Sequence, residues 1–286
     1  MRPPWSASAT RDSAVSALNL ITLRMRGHAG PSGYHRLSEG MDARLISVGP
    51  SVGRVAQTLT KPYRHLVRQS GSSWYQLNCL WGEARAAARW TLRDRQIFHF
   101  LYGENLFRNL GGMRARSRHK QAIVATYHTP TWRMRELVTD TDHLKHLQAV
   151  VVMANCQKAY FEEVAPQAST HFVPHGIDTD YFHPQQAECD TDRFRLICVG
   201  FHLRDFEVVA AVAKAVHASH PHIEFTVVCS PDRSEPLRGL DNVRLLSGIS
   251  DEELRQAYQD SDALFLPLLD ATANNALLEG MLGDAG

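Results

Sequence analysis

Apolar residues gather in ten short runs along this chain, at 20–25, 44–48, 96–101, 122–127, 149–153, 171–173, 194–199, 223–229, 243–246 and 263–268. Most lack strict apolar–polar alternation, and strands apolar on both faces are what a parallel sheet covered by helices requires. Helical patterns lie between them, at 34–41, 74–92, 131–147, 157–164, 206–218 and 251–260. In the second of these Leu77, Leu80, Ala84, Ala87 and Ala88 recur at helical spacing; in the fifth Val208, Val209, Val212 and Val216 share a face. The last opens on Ser250 with Glu253 three residues on, a capping box. Strands alternating with helices predict an α/β architecture.

The strand series divides near 174–192, and a new one begins at "RFRLICVG". The intervening stretch includes "VPHGIDTDYFHP" at 173–184, where Pro174 and Gly176 are expected to set a bend and Asp178 to cap the turn that follows. The expected organisation is therefore a domain over 20–173, a connection over 174–192 and a second domain over 193–286. Residues 1–19, rich in Arg, Ser and Ala with one acid, have a faint transit-peptide look and are taken as a disordered extension.

Composition changes this picture little. The chain has 286 residues, 44% hydrophobic and 21% charged, as a globular protein does. Its 31 basic and 30 acidic residues leave a net charge of +1, so nothing asks for nucleic acid, and a membrane surface is not indicated as partner. Five cysteines without a C-x-x-C pair read as reduced thiols of a cytoplasmic protein. No apolar run reaches the roughly 20 residues of a membrane helix.

After the first strand, Gly27, Gly30 and Gly33 lie three apart before a helix start near Tyr34. Glycines there suit close approach to a phosphate or sugar, and equally a plain strand-to-helix turn. The spacing is neither the dinucleotide G-x-G-x-x-G fingerprint nor a P-loop, which argues against an oxidoreductase.

Three motifs in order, "VPHGIDTDYFHP", "RLICVGFHLRDFEVVAAVAKAV" at 195–216 and "ISDEELRQAYQDSDALFLPLLDATANNALLEGM" at 249–281, resemble the family 4 retaining glycosyltransferases with the GT-B fold. "GPSGYHRL" at 30–37 and "ATYHTP" at 125–130 fit the N-terminal half of the same family. The resemblance implies two Rossmann-like domains with parallel sheets facing across a cleft. The second domain would take a nucleotide-sugar donor and the first a carbohydrate or other hydroxyl acceptor. Neither metal nor resident cofactor is implied.

The resemblance also assigns roles. Glu279 would accept hydrogen bonds from the donor ribose, a task suited to an acceptor-only carboxylate; a first-turn Glu complementing a helix dipole is the alternative. Asn274 and Asn275 open that helix, either presenting its N–H groups to a diphosphate or simply capping it. The family's second acid, eight residues before Glu279, is replaced by Ala271, which leaves Asp270 or Thr272 to recognise the sugar. Phe201 and Phe206 stand where the family carries an Arg and a Lys, so Arg204, with His202, is expected to meet the leaving diphosphate. His128, at a strand end, would sit near acceptor and sugar or be a buried structural histidine. Glu104 and Asn105 have similar placement, and Gly30 and Gly33 are expected on the acceptor side, with Gly33 also near the donor.

Other signals carry less. The Asp-x-Asp pairs 140/142, 178/180 and 190/192 are expected in a helix, the connection and a linker, none following a strand as metal-binding pairs do. Arg85, Arg89 and Arg93 form a basic stripe read as a solvated helix face. The resemblance breaks off after "LLEGM", with four strands from 193 where a Rossmann-like domain has about six, so the second domain is expected to be incomplete. A non-catalytic nucleotide-binding remnant therefore stands as the alternative to a transferase, and a sugar-nucleotide epimerase as a third reading.

Overall fold

The computed structural model describes residues 17–24, 30–49, 58, 61–92, 95–114, 120–184 and 192–283. Gly27, Arg93, Cys189, Asp190 and the expected extension as far as residue 16 lie outside the described residues.

Among the described residues ten strands form two wholly parallel sheets. The first contains β1 (Ala17–Leu23), β2 (Ala43–Val48), β3 (Gln96–Phe100), β4 (Ala122–Tyr127), β5 (Ala149–Val152) and β6 (Ser169–Phe172), in the order β2-β1-β3-β4-β5-β6. The second contains β7 (Phe194–Val199), β8 (Ile223–Val228), β9 (Val243–Leu246) and β10 (Ala263–Leu264), in the order β10-β7-β8-β9. The α-helices of the first half are α1 (Arg64–Arg68), α2 (Leu77–Trp90), α3 (Gly103–Leu106), α4 (Leu110–Arg114), α5 (Thr131–Leu137) and α6 (Lys158–Val164). Those of the second are α7 (Phe206–Ser219), α8 (Asp251–Gln259) and α9 (Asn275–Leu282).

Each sheet is buried by its own cluster. In the first, Cys79, Leu80, Ala86 and Trp90 of α2 share a core with Ile21, Ile46, Phe98 and Phe100, and the Trp90 and Phe98 rings lie 5.1 Å apart. Glycines set how closely helix meets sheet. A Cβ on Gly82 would sit 2.5 Å from a Val48 methyl, and one on Gly103 would sit 2.6 Å from Tyr127 Cζ. We expect Gly103→Ala to cost about 1–3 kcal/mol, the usual price of overpacking, read as a lower urea midpoint with an unchanged slope.

The second sheet shows why its apolar runs do not alternate. Successive side chains of a strand point to opposite faces. Ile197 and Val199 pack with Phe182, Tyr258 and Ala276, while Cys198 packs with Val209, Ala213 and Phe225 on the other side. Phe182 comes from the connection, so the chain between the sheets is anchored in the second core. Asp178 does cap the turn there, accepting from Asp180 N and Tyr181 N at 3.1 Å each. Gly176 has neither a left-handed φ nor a close neighbour, so nothing at that position requires glycine.

Several element boundaries differ from the expected ones. Residues 17–19 belong to β1 and not to an extension. The helix expected over 34–41 is a 3-10 turn, Tyr34–Ser38. The segment 131–147 is not one helix: it breaks after Leu137, because Val138 bridges to Ser72 and Arg108 Nη2 holds Asp140 at 2.7 Å, and resumes as a 3-10 turn over Asp142–His146. Asp140 therefore lies in that break, outside any helix. The run 263–268 is a strand only over Ala263–Leu264, after which the chain pairs with the loop before α7 through Asp205 N to Pro267 O and Leu269 N to Leu203 O, both 3.0 Å. The capping box at Ser250 is present, with Ser250 N to Glu253 Oε2 at 2.7 Å. Cys79, Cys198 and Cys229 are buried and Cys156 exposed, all unpaired. Among the described residues no helix is long and apolar enough to cross a membrane.

Candidate functional site

Ligands of parallel α/β sheets gather at the carboxyl ends of the strands. Those ends of both sheets line one cleft of ≈ 380 Å³. Tyr34, Trp74, Tyr102, Glu104, Asn105 and His128 come from the first half; Gly200–Arg204, Ala271–Ala276 and Glu279 come from the second.

On the second side, β7 ends at Val199 and Gly200 takes φ +91°, a left-handed value natural to glycine. The turn folds Arg204 back over the strand end. Its Nε donates to Val199 O at 3.0 Å, Nη1 to His202 O at 3.2 Å and Nη2 to Asn274 Oδ1 at 3.0 Å. A guanidinium has five N–H donors, so two remain. Burial lowers the Arg204 pKa, yet the group stays cationic. Burial, then the charges of Arg133 and Arg204, pull the His202 imidazole below its usual value, so it faces the cleft as a neutral ring.

Asn274 precedes α9 but does not cap it with its side chain. The carboxamide turns to Arg204 instead, and its Nδ2 is buried without a partner. The first-turn N–H groups are thus left uncapped beside a fixed cation, at the positive end of the helix dipole. Glu279, one turn on, is 3% exposed and accepts from Tyr258 Oη at 3.0 Å and from the Ser32 hydroxyl. Burial outweighs these bonds and raises its pKa above the usual carboxylate value.

On the first side, Glu104 opens α3 directly after β3. Its Oε1 accepts from His128 N at 3.3 Å and Thr129 Oγ1 at 3.2 Å, and lies 3.4 Å from His128 Nδ1. Its Oε2 is buried with no partner, as are Asn105 Oδ1 and both ring nitrogens of His128. The His128 ring is held between Tyr34 and Tyr102, at centroid distances of 4.5 and 4.9 Å. Gln157 fixes the loop that carries it, donating to Tyr127 O and Thr129 O while accepting from Met153 N and Ala154 N.

Hydrogen bonds join the two sides. Trp132 Nε1 donates to Asp270 Oδ2 at 2.6 Å, Thr272 Oγ1 donates to His128 O, and Asn275 Nδ2 reaches Ser32 O at 3.4 Å. Arg36 pairs with Asp178 of the connection. Gly30 is one of these links, its N–H donating to Asp251 Oδ2 at 2.9 Å.

Glu104, Asn105, His128, His202, Arg204, Asn274, Asn275 and Glu279 are thus brought together as expected. Gly30 and Gly33 are not: they flank Ser32, which lines the cleft in their place. Gly33 has an extended conformation open to any residue, φ −78° and ψ 144°. Phe206 is buried in the second core, whereas Phe201 is 45% exposed at the cleft. The walls Tyr34, Trp74 and Tyr102 were missed; the signal was available, since Tyr102 follows a strand end and Tyr34 ends the glycine loop. Arg85 donates to Ser47 O at 2.9 Å, so part of the basic stripe is bound to the sheet. Among the described residues no group of three or more His, Cys, Asp or Glu side chains is placed to hold a metal ion.

No protein-family model and no curated protein matches the chain. Solved structures do. HepE from Anabaena, crystallised with UDP, is similar at TM-score 0.59 and 13% identity, over 93% of this chain and 78% of that one. An O-GlcNAc transferase mutant from Thermobaculum terrenum is similar at TM-score 0.51 and 15% identity, over 93% of this chain and 51% of that one. TarM is similar at TM-score 0.53 and 10% identity, over 72% of this chain; the chain spans only 42% of the length of TarM. At such identities the likeness is one of fold, and the fold is the GT-B fold of glycosyltransferases.

Proposed function

We propose that the chain is a retaining glycosyltransferase of the family 4 type, moving a sugar from a nucleotide-sugar donor to an acceptor hydroxyl without a metal. The observation that carries this reading is the uncapped start of α9 beside Arg204, with the buried carboxylate of Glu279 one turn further on. That set offers N–H groups and a fixed cation to a diphosphate and an acceptor-only group to a diol. The fold neighbour HepE was crystallised with UDP and glucose, which agrees with a donor of this class.

In this reading the donor diphosphate lies against Arg204, Asn274 and Asn275, its ribose against Glu279, and its sugar toward His128. As the bond from sugar to diphosphate breaks, negative charge grows on the leaving phosphate. The two remaining N–H donors of Arg204 and the helix start stabilise that charge in place, without reorganisation. The acceptor oxygen then forms its bond to the anomeric carbon on the face from which the diphosphate departs, which keeps the configuration, and its proton passes to the leaving phosphate oxygen. The domain division proposed is acceptor side from Ala17 to 173, connection over 174–192 and donor side from 193.

A second reading, a nucleotide-binding module without transfer, is favoured by Ala271 in place of an acid and by Asp270 being engaged with Trp132. One experiment tests both. Titration with UDP and ADP, followed by release of the nucleoside diphosphate from UDP- and ADP-sugars, should show binding and turnover. Binding without turnover selects the second reading, and no binding of either nucleotide overturns both.

A further inference from the structure

The acceptor wall of the cleft carries a carboxylate, Glu104, that is only partly balanced among the described residues. Glu104 is 5% exposed, and its Oε2 is buried without a partner. A buried carboxylate oxygen without a donor is costly, and at the wall of a cleft a bound group with a donor would relieve that cost. The next residue offers another buried acceptor with no partner, Asn105 Oδ1. Two acceptors in succession favour a ligand group that is rich in donors.

The surroundings narrow the choice further. Tyr34 and Tyr102 stand 5.7 Å apart, edge to face, and both line the cleft with Glu104. The charge of Glu104 is felt at both phenols, after burial as the main cause of their raised pKa values. Aromatic faces attract a cation, and more strongly when it is desolvated. Among the described lining residues the permanent cation is Arg204, which is committed to Val199, His202 and Asn274 on the opposite side. The other two acids already have partners: Asp270 holds Trp132, and Glu279 holds Tyr258 and Ser32. His128 lies 3.4 Å from Oε1 of Glu104, the oxygen already used by Thr129, and leaves Oε2 unserved.

The geometry points to a subsite for a protonated amine, built from Glu104, Asn105, Tyr34 and Tyr102, so that the acceptor is an amine-bearing molecule with no anionic group at its reacting end. An ammonium brings three N–H donors and one positive charge. It offers a donor to the unpartnered oxygen of Glu104 and neutralises the buried carboxylate, which a lone hydroxyl does not. A phosphate or carboxylate at the same place would face Glu104 across a low-dielectric gap and be repelled. That this group belongs to the acceptor rests on the transferase reading; the existence of an amine subsite does not.

Ligand-observed NMR titration of the full chain with glucosamine, glucose and N-acetylglucosamine, at pH 7 and equal ionic strength, tests it. Glucosamine should bind at least about tenfold more tightly than the other two, because hydrogen bonds to charged groups exceed neutral ones by a margin of that order. Glu104→Gln keeps the shape and removes the charge, and should erase the preference. Equal affinities in the unaltered chain, or a preference that survives Glu104→Gln, overturn the proposal. Should that variant fail to fold, Tyr102→Leu, which keeps the carboxylate and removes one ring, should weaken glucosamine severalfold and leave glucose unchanged; no change there also overturns it. UDP titrated separately into the unaltered chain reads the transferase proposal by itself.

Discussion

Arg204→Ala is expected to slow nucleotide-sugar turnover by about 100- to 1000-fold, the usual effect of removing one preorganised donor that faces developing charge, about 2.7–4 kcal/mol. The guanidinium is held by Val199 O, His202 O and Asn274 Oδ1 before any ligand arrives, so none of its ordering is left to the reaction. The loss should fall mainly on kcat, since the leaving phosphate carries more negative charge in the transition state than in the bound donor. Arg204→Lys keeps a cation but not the fork, and should recover only part of the rate. Steady-state release of UDP or ADP checks both variants. Turnover of Arg204→Ala within threefold of the unaltered protein would remove Arg204 from the mechanism.

Glu279→Ala should weaken UDP about 10- to 100-fold, since a hydrogen bond to a charged group contributes about 1.5–3 kcal/mol. The companion variant Glu279→Gln has an effect of the opposite sign on stability. Burial raises the pKa of Glu279 above 4.5, so between 4.5 and the raised value the folded chain holds a proton there that the unfolded chain has lost. Where the folded state binds more protons, stability falls as pH rises. The cost is therefore absent below about pH 4.5, grows as pH rises to the raised folded value, and is constant above it. Glu279→Gln should remove that cost and be more stable than the parent at neutral pH, while the two converge in acid. Urea midpoints measured from pH 4 to 8 check this, and parallel pH profiles for both proteins would refute it.

Much of this architecture was legible in the chain. Runs such as 122–127 and 194–199 matched their strands, because a strand largely covered on both faces is largely apolar and so stands out by composition; 243–246 matched too, although it is an edge strand carrying Arg244. Ser250 with Glu253, and Asp178 before its turn, were legible because capping is local chemistry between residues two or three apart. Of the residues that line the cleft, Glu104, Asn105 and His128 could be picked out by their place at strand ends, whereas Glu279 and Arg204 were singled out by the family resemblance of the motifs around them.

The misreadings share a cause. The segment 131–147 has a helical pattern, yet it breaks where Val138 meets Ser72 and where Arg108 binds Asp140, contacts with partners tens of residues away. The acid at 83 carries no signal in the chain that sets it apart. In the fold it is buried and takes N–H bonds from Arg108, Asn109 and Leu110, together with the Tyr75 hydroxyl, and so ties α2 to the loop before α4. Gly30 and Gly33 suggested a ligand loop, but Gly30 serves Asp251.

By itself, then, the sequence determined which segments become strands and helices, where the chain turns from one sheet to the other, and which residues stand at strand ends, because those properties depend on periodicity and on neighbours a few positions apart. The tertiary structure alone decided that Asn274 abandons its cap for Arg204, that Asp270 is taken by Trp132 and that one oxygen of Glu104 is left without a donor. Those outcomes depend on which groups meet after the two sheets have been brought face to face, and hydrogen bonds between residues 70 to 140 positions apart leave no periodic trace in the chain.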